Sequence, residues 1–215
     1  MTRNPYIVGI GGTINPGSGT ECALQIALAS AKISGATVRL FGGAELAALP
    51  HYGPGMIDRT TVGHALVDAV RRADGVIIAS PGYHGTVSGL VKNAIDFVEE
   101  TARDERVYLD GLPVGLIVTA YGWQATGTTL GTLRSMVHSL RGWPTPFGAT
   151  IKVSPGLFQD GSCTDPAVAG QLDLVGRQVT EFAHRNLGEA SPCERRSSCS
   201  SCSGCGSSLL DPAFT

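Results

Sequence analysis

Short apolar runs alternate with longer amphipathic segments along most of the chain. The apolar runs are rich in Val, Ile and Leu and lack regular polar positions, which is typical of strands buried on both faces of a sheet. Strands are predicted at 6–10, 37–41, 75–80, 113–120 and, from a weaker signal, 145–153. Segments with helical periodicity are predicted at 22–29, 62–73, 87–101, 127–140 and 166–186. Between 42 and 55 the chain has no clear period and is punctuated by Gly and Pro.

The alternation of strands with helices predicts an α/β fold with a doubly wound parallel sheet. Right-handed crossover connections place helices on both faces of such a sheet. Five strands fit the order 2-1-3-4-5, which is the flavodoxin-like arrangement. We expect residues 1–187 to form this one domain.

The last part of the chain, 188–215, differs from the rest in composition. It is rich in Ser, Gly and Cys and has no apolar periodicity, so we expect a tail that is disordered without a partner. Three interpretations of its thiols remain open: no specific role, which we favour, an iron–sulfur cluster or zinc site, and a substrate segment for peptide-modifying enzymes. The four cysteines concerned are Cys193, Cys199, Cys202 and Cys205.

Charge and hydropathy exclude two classes of partner. The formal net charge of the 215 residues is −2, so no overall field favours nucleic acid. The sequence contains no run of about 18 apolar residues, so we do not expect a membrane span. The first residues lead into a strand without a signal-peptide pattern, and we therefore expect a cytoplasmic protein.

The most informative segment is 80–97, which reads SPGYHGTVSGLVKNAIDF. An apolar strand precedes it, and its second half has helical spacing. The loop between them offers free backbone N–H groups, an aromatic ring and an imidazole at the carboxyl end of a strand, where open α/β sheets bind their ligands.

This segment resembles the Ser-Pro-x-Tyr-x-Gly/Ser and Leu-Lys-Asn-Ala-Ile-Asp signature of the NAD(P)H-dependent FMN reductase family. The resemblance implies a flavodoxin-like fold that binds FMN and uses NADPH or NADH to reduce a flavin, quinone or similar acceptor. It also implies a homodimer or homotetramer with the flavin near a subunit interface.

The loop after the first strand predicts an anion site. Small and hydroxyl-bearing residues precede a helix there, and helix N-termini favour negative charge. In the resembling family this loop holds the FMN phosphate, typically with Gly-Ser-x-Arg, whereas this chain has Thr13 in place of Ser and Asn15 in place of Arg. The predicted ligands are Thr13, Asn15, Ser18 and Thr20. A dinucleotide site of the Gly-x-Gly-x-x-Gly type is the weaker alternative, because the glycine spacing does not match.

Two further loops complete the predicted flavin site. The resemblance implies that the first lies along the isoalloxazine ring and ribityl chain, and its residues are Pro81, Gly82, Tyr83, His84 and Gly85. The second, after the fourth strand, contributes Ala120, Tyr121, Gly122 and Gly127. His84, Tyr121 and Trp123 are possible acceptor contacts. The alternatives are a polar loop position for His84 and a subunit contact for the two aromatic residues.

The predicted function is NAD(P)H-dependent reduction of flavin or quinone-type acceptors through FMN. The sequence contains no convincing Ser-His-Asp or Cys-His assembly, which fits a flavin-mediated hydride transfer. Four histidines outside the predicted site also lack metal-ligand spacing: His51, His64, His138 and His184. The alternative is a non-catalytic flavodoxin-like electron carrier, or a scaffold or leader for the cysteine-rich tail.

Overall fold

The structure is a computed structural model that describes residues 3–188. Residues 189–215 of the predicted tail, with its four cysteines, lie outside the described residues, whereas Gly188, which the tail was expected to include, ends the last helix. The strands are β1 (Tyr6–Gly11), β2 (Thr37–Phe41), β3 (Gly75–Tyr83), β4 (Thr86–Val87), β5 (Pro113–Ala120), β6 (Trp143–Lys152), β7 (Phe158–Gln159) and β8 (Ser162–Cys163). The helices are α1 (Gly19–Ile33), α2 (Gly43–Ala47), α3 (Thr61–Arg72), α4 (Gly89–Asp96), α5 (Trp123–Ser139) and α6 (Pro166–Gly188).

The five long strands form one parallel sheet in the order β2-β1-β3-β5-β6. This is the predicted flavodoxin-like order, with β5 and β6 as the fourth and fifth long strands. The strand order reverses beside β1, because β2 pairs on one side of it and β3 on the other. That reversal creates the crevice at the carboxyl edge where such sheets bind ligands.

Helices cover both faces of the sheet, as the alternation predicts. Side chains on one face of the strands pack with α3, α4 and α5, and those on the other face pack with α1 and α6. Neighbouring strand positions alternate between the two cores: Ile7 and Ile77 face α1 and α6, whereas Val8 and Ile78 face the opposite layer. No helix in 3–188 is both long and apolar enough to cross a membrane.

The region after β3 differs from the predicted loop. β3 continues through Tyr83 and folds back onto β4 as an antiparallel hairpin, with Gly82 opposite Val87. His84 and Gly85 form the two-residue turn, and their φ angles of 54° and 84° are the left-handed values that a type I′ hairpin turn requires. The hairpin therefore holds Tyr83 and His84 on ordered backbone.

Helix α5 begins earlier than predicted, at Trp123 instead of residue 127. The Thr126 N–H bonds to the Gly122 carbonyl, and the Thr126 hydroxyl bonds to the Trp123 carbonyl at 2.7 Å. Gly127 thus lies in the second turn of a helix, and its predicted loop position is wrong. The expected irregular stretch 42–55 also contains the short helix α2.

Three residues of the signature segment, Lys92, Asn93 and Asp96, form side-chain contacts on α4. The Asn93 side chain accepts the Tyr52 N–H at 2.8 Å and donates to the Pro50 carbonyl at 2.9 Å, which fastens that loop to the helix. Lys92 and Asp96 form a surface ion pair at 2.5 Å, as their spacing of four residues predicts.

Candidate flavin site

A cleft of about 290 Å³ opens at the carboxyl edge of the sheet. It lies where the loop after β1, the end of β3 and the end of β5 meet. The lining residues are Thr13, Asn15, Ser18, Gly19, Thr20, Pro81, Gly82, Tyr83, Thr119, Ala120, Tyr121 and Val153.

Most residues of the predicted site come together in this cleft. Those that line it are Thr13, Asn15, Ser18, Thr20, Pro81, Gly82, Tyr83, Ala120 and Tyr121. His84 and Gly85 instead line a separate recess of about 260 Å³, together with Gln124, Ala125 and Thr128 of α5. Gly122, Trp123 and Gly127 are not among the residues that line either space.

The N-terminus of α1 supplies the anion-binding end of the cleft. Ser18 is the N-cap, and its Oγ accepts the Glu21 N–H at 3.4 Å. The N–H groups of Gly19 and Thr20 have no acceptor among residues 3–188, so they are available to a ligand at the positive end of the helix dipole. No Lys or Arg lines the cleft. An anion here would be held by neutral donors alone.

Glu21 is the acidic residue in the first turn of α1, and its carboxylate contacts the start of α2. Its Oε2 accepts the N–H of Gly43 at the start of α2, at 3.4 Å. A Cβ atom at Gly12 or Gly42 would lie 3.2–3.3 Å from this carboxylate, so glycines make room for it. Glu21 is not a cleft-lining residue, and its charge is directed toward α2.

Sequence reasoning missed Gly19, Thr119 and Val153. The hydroxyls of Thr20 and Thr119 are 2.6 Å apart, and both side chains are buried. Each hydroxyl carries one hydrogen and their mutual bond uses one, so the other hydrogen has no acceptor in the described part of the chain. Because both residues line the cleft, this hydrogen can be donated to a ligand. A hydroxyl inside the otherwise apolar fourth long strand was the signal available in the sequence.

Close packing of α5 against the hairpin forms one wall. A Cβ atom at Gly82 would lie 2.9 Å from Thr129 Oγ1 and 3.1 Å from the Ala125 carbonyl oxygen. The Thr129 hydroxyl is buried and has no hydrogen-bond partner within 3–188. At the other end of the hairpin, the Ser80 hydroxyl accepts the Ser88 N–H at 3.0 Å. The wall is therefore fixed by contacts at both ends.

Large apolar side chains are exposed on the segments that surround the cleft. Tyr83, Tyr121 and Trp123 are 53%, 85% and 63% exposed, and Ile14 is 69% exposed. Tyr83 and Tyr121 line the cleft itself. Exposed aromatic rings of this kind provide flat surfaces on which a planar ligand can stack, or on which a second protein surface can pack.

The chemistry of the site lacks a side-chain nucleophile. Cys22 lies in the first turns of α1, where burial, with a smaller contribution from Glu21, raises the pKa of its thiol. Its Sγ donates to the Gly17 carbonyl at 3.4 Å, which also keeps the group a neutral thiol. In residues 3–188 no group of three or more His, Cys, Asp or Glu side chains is placed to hold a metal ion.

The donor set fits FMN. Two free main-chain N–H groups and the Thr13 and Ser18 hydroxyls suit a phosphate monoester, and the spare hydroxyl hydrogen of the Thr20–Thr119 pair suits a ribityl oxygen. The aromatic rim suits the flat ring system. Only a cationic partner for the phosphate is absent from the lining residues.

Comparison with known proteins also points to FMN. The family model described as NADPH-dependent FMN reductase matches residues 5–152, which is more than half of the chain. An FMN-dependent NADPH-azoreductase from Staphylococcus haemolyticus is 35% identical over 79 residues, which is 37% of this chain and 38% of that protein. A protein of the same description from Staphylococcus saprophyticus is 40% identical over 76 residues, 35% of this chain and 37% of its own length. The aligned segments thus span well under half of these relatives.

Solved structures share the fold. The flavoenzyme NAD(P)H:(acceptor) oxidoreductase FerB from Paracoccus denitrificans superposes with a TM-score of 0.69 at 18% identity, covering 84% of this chain and 98% of its own. The apo form of the NADH:FMN oxidoreductase EMOB gives a TM-score of 0.62 at 21% identity, with 89% and 94% coverage. At these identities the likeness establishes a flavodoxin-like architecture.

Proposed function

The chain belongs to the NADPH-dependent FMN reductase family, and from that membership we propose that it is an NAD(P)H-dependent oxidoreductase that works through FMN bound in the cleft. The observation that carries the proposal is the convergence of three segments, 13–20, 81–83 and 119–121, on one cleft beside a helix N-terminus with two main-chain N–H groups that have no acceptor among residues 3–188. Its relatives of known description are FMN-dependent NADPH-azoreductases, so NADPH is the preferred donor and a conjugated organic molecule is the preferred class of acceptor.

Bound FMN supplies the hydride-accepting and hydride-donating chemistry that the side chains lack. The N–H groups of Gly19 and Thr20 and the Ser18 hydroxyl bind the phosphate. The hydrogen left over from the Thr20–Thr119 pair is donated to the flexible chain of the cofactor. The main chain of the β3–β4 hairpin would hold the ring system of the cofactor, and its N–H groups would favour negative charge there.

The rim of the cleft receives the nicotinamide and then the acceptor. Tyr83 and Tyr121 provide the surface on which either flat ring stacks, and the recess beside His84 adds polar contacts from Gln124 and Thr128. Exposed aromatic residues at the rim also support a homodimer in which a second copy covers part of the cleft. We further propose that the protein works in the cytoplasm.

The test is a visible absorption spectrum of the anaerobically purified full-length protein, before and after NADPH is added. We expect flavin bands, either as purified or after FMN is supplied, that bleach with NADPH and return when a quinone is added. A colourless protein that takes up no FMN contradicts the proposal. A flavin-containing protein that oxidises neither NADPH nor NADH with any flavin or quinone supports the electron-carrier alternative instead.

A second sample that lacks 189–215 tests the tail. We expect the same rate of NADPH oxidation, because every residue that lines the cleft lies in 13–153. A broad visible shoulder that is present in the full-length protein and absent from the shortened one would identify an iron–sulfur cluster on the four cysteines. A rate that falls with the tail removed would contradict a tail-independent enzyme.

A further inference from the structure

A second cavity, of about 610 Å³, opens at the amino edge of the sheet, on the side opposite the cleft. It lies where β1 and β3 begin and where α3 ends. Its lining residues are Arg3, Tyr6, Arg71, Arg72, Ala73, Asp74 and Arg106. We refer to it as the arginine cavity. None of its residues lines the cleft, so the proposed reductase chemistry does not account for it.

Two of the four arginines are held by carboxylates. Both terminal nitrogens of Arg3 donate to the Asp74 carboxylate, at 2.5 and 2.7 Å. This carboxylate also accepts the Tyr6 N–H at 2.7 Å. Arg71 bonds to Asp104 at 2.7 Å and to Asp68 at 3.1 Å. These contacts fix the positions of both guanidinium groups before any ligand arrives.

The other two arginines have no carboxylate partner. No salt bridge in the described part of the chain involves Arg72 or Arg106. The Arg72 guanidinium lies 5.8 Å from the centre of the Tyr6 ring, and its Nε donates to the Asp68 carbonyl at 3.2 Å. Both terminal nitrogens of Arg72 are without an acceptor among residues 3–188.

Arg106 neutralises the negative end of the α3 helix dipole, which would otherwise repel an anion in the cavity. Its Nη2 donates to the main-chain carbonyls of Val70 and Arg71 at 2.6 and 2.7 Å. Those carbonyls belong to the last turn of α3, the negative end of the helix dipole. Burial is the main influence on Arg106 and lowers the pKa of its guanidinium, while Asp74, Asp104 and Asp110 oppose the shift. A partly buried cation that bonds only to carbonyls gains from a nearby anion.

We propose that the arginine cavity binds a phosphorylated small molecule of the size of a nucleoside diphosphate. Four arginines and one carboxylate, Asp74, line the cavity, so the lining itself is predominantly positive. Asp68, Asp104 and Asp110 lie near these arginines but are not lining residues. A guanidinium group can donate two parallel hydrogen bonds to the oxygens of one phosphate. The two terminal nitrogens of Arg72 have no acceptor in the described part of the chain, so they are available for such a contact. The volume lies within the range of small-molecule sites, about 300–1,000 Å³, and exceeds what a single phosphate needs.

Calorimetric titration of the full-length, FMN-saturated protein tests the proposal, with ADP and inorganic pyrophosphate as probes and adenosine as the uncharged control. FMN saturation keeps the probes away from the phosphate donors at α1. We expect both phosphates to bind and adenosine not to bind. Arg72→Ala should raise the dissociation constant for pyrophosphate by about tenfold or more, because a charge-assisted pair of hydrogen bonds is lost.

Arg59→Ala is the matched control, because Arg59 is an exposed arginine outside the cavity and forms no ion pair within 3–188. It should bind pyrophosphate as the unaltered protein does. Arg72→Gln, which keeps the length of the side chain, should weaken binding as Arg72→Ala does. The proposal is overturned by an absence of phosphate binding, by equal binding in the Arg72 and Arg59 variants, or by binding that Ser18→Ala abolishes and Arg72→Ala leaves intact. These outcomes do not depend on whether NADPH is oxidised.

Discussion

At the scale of single residues, the shape of the cleft depends on a few tightly packed contacts. The clearest is at Gly82, where the hairpin and α5 approach so closely that no larger residue has room. The same helix leaves the Thr129 hydroxyl buried without a partner, so the packing already carries a polar cost.

Replacing Gly82 tests this packing. In Gly82→Ala the new methyl group meets Thr129 Oγ1 at 2.9 Å, so α5 must shift, and we expect the free energy of unfolding to fall by about 1–3 kcal/mol. Gly89→Ala is the control, because nothing lies within 4 Å of a Cβ there, and it should be neutral or stabilise by at most about 1 kcal/mol. Urea denaturation measures both. Equal effects would show that the contact does not limit the packing.

The Thr20–Thr119 pair makes a second prediction at this scale. Thr20→Val leaves the buried Thr119 hydroxyl without its partner, and Thr119→Val does the reverse, so each should cost about 1–3 kcal/mol of unfolding free energy. The double variant should cost less than the sum, because no hydroxyl is then stranded. It should nevertheless bind FMN more weakly, as seen in a fluorescence titration. Additive losses of stability would contradict a direct bond between the two hydroxyls.

At the scale of elements, the cleft is a meeting of helix starts and strand ends. α1 and α3 begin in the same way, with a hydroxyl side chain that accepts an N–H of the first turn, from Glu21 onto Ser18 and from Gly63 onto Thr60. Only α1 starts at the cleft. Comparing the two caps therefore distinguishes the contribution of a cap to stability from its contribution to ligand binding.

Ser18→Ala and Thr60→Ala make this comparison directly. Each removes one cap bond, and each should lower the free energy of unfolding by about 1 kcal/mol. Only Ser18→Ala should weaken FMN binding, because Ser18 lines the cleft. Fluorescence quenching of FMN by the two variants is the measurement. A similar loss of FMN affinity in Thr60→Ala would mean that the effect is one of stability and not of contact.

Some secondary-structure elements could be predicted from the sequence and others could not. Strand order and helix faces were predictable because burial imposes the apolar runs and the 3.6-residue period. The β3–β4 hairpin was not, since Pro81 suggests a loop and His84 is not one of the residues, Asn, Asp or Gly, that usually begin a type I′ turn. The start of α5 was missed because its first turn faces solvent and has no apolar period. Thr119 lines the cleft because of its position in β5, and Val153 because it directly follows β6; loop motifs reveal neither.

At the scale of the whole molecule, the two edges of the sheet differ in charge. The carboxyl edge has a cleft of neutral donors and aromatic rings, and the amino edge has a cavity with four arginines. β1 and β3 run between them. The two spaces are thus separated by the core of the protein, which allows their ligands to be studied one at a time.

Global stability should decline in alkali through Tyr52. Its hydroxyl donates to Glu100 at 3.0 Å, and burial, followed by this carboxylate, raises its pKa to about 12. The folded state therefore keeps its proton after the unfolded chain has lost it near the ordinary value of 10. This contribution is complete below pH 10 and is lost as the pH rises from about 10 to 12.

Tyr52→Phe should accordingly show a smaller loss of unfolding free energy between about pH 10 and 12 than the unaltered protein. Urea denaturation at a series of pH values measures this. Tyr121→Phe is the control, because the Tyr121 side chain is exposed and forms no hydrogen bond within 3–188; it should keep the steeper alkaline decline. Identical profiles for Tyr52→Phe and the unaltered protein would contradict the assignment.

The neutral lining of the cleft has a consequence for the conditions under which the protein takes up its flavin. Attraction between a phosphate and an arginine is screened as dissolved salt increases, whereas hydrogen bonds from main-chain N–H groups and hydroxyls are affected much less. With no Lys or Arg in its lining, this cleft should bind FMN with nearly constant affinity from dilute buffer to high ionic strength. The supply of FMN, and not the salinity of the surroundings, would then set the fraction of molecules that carry it.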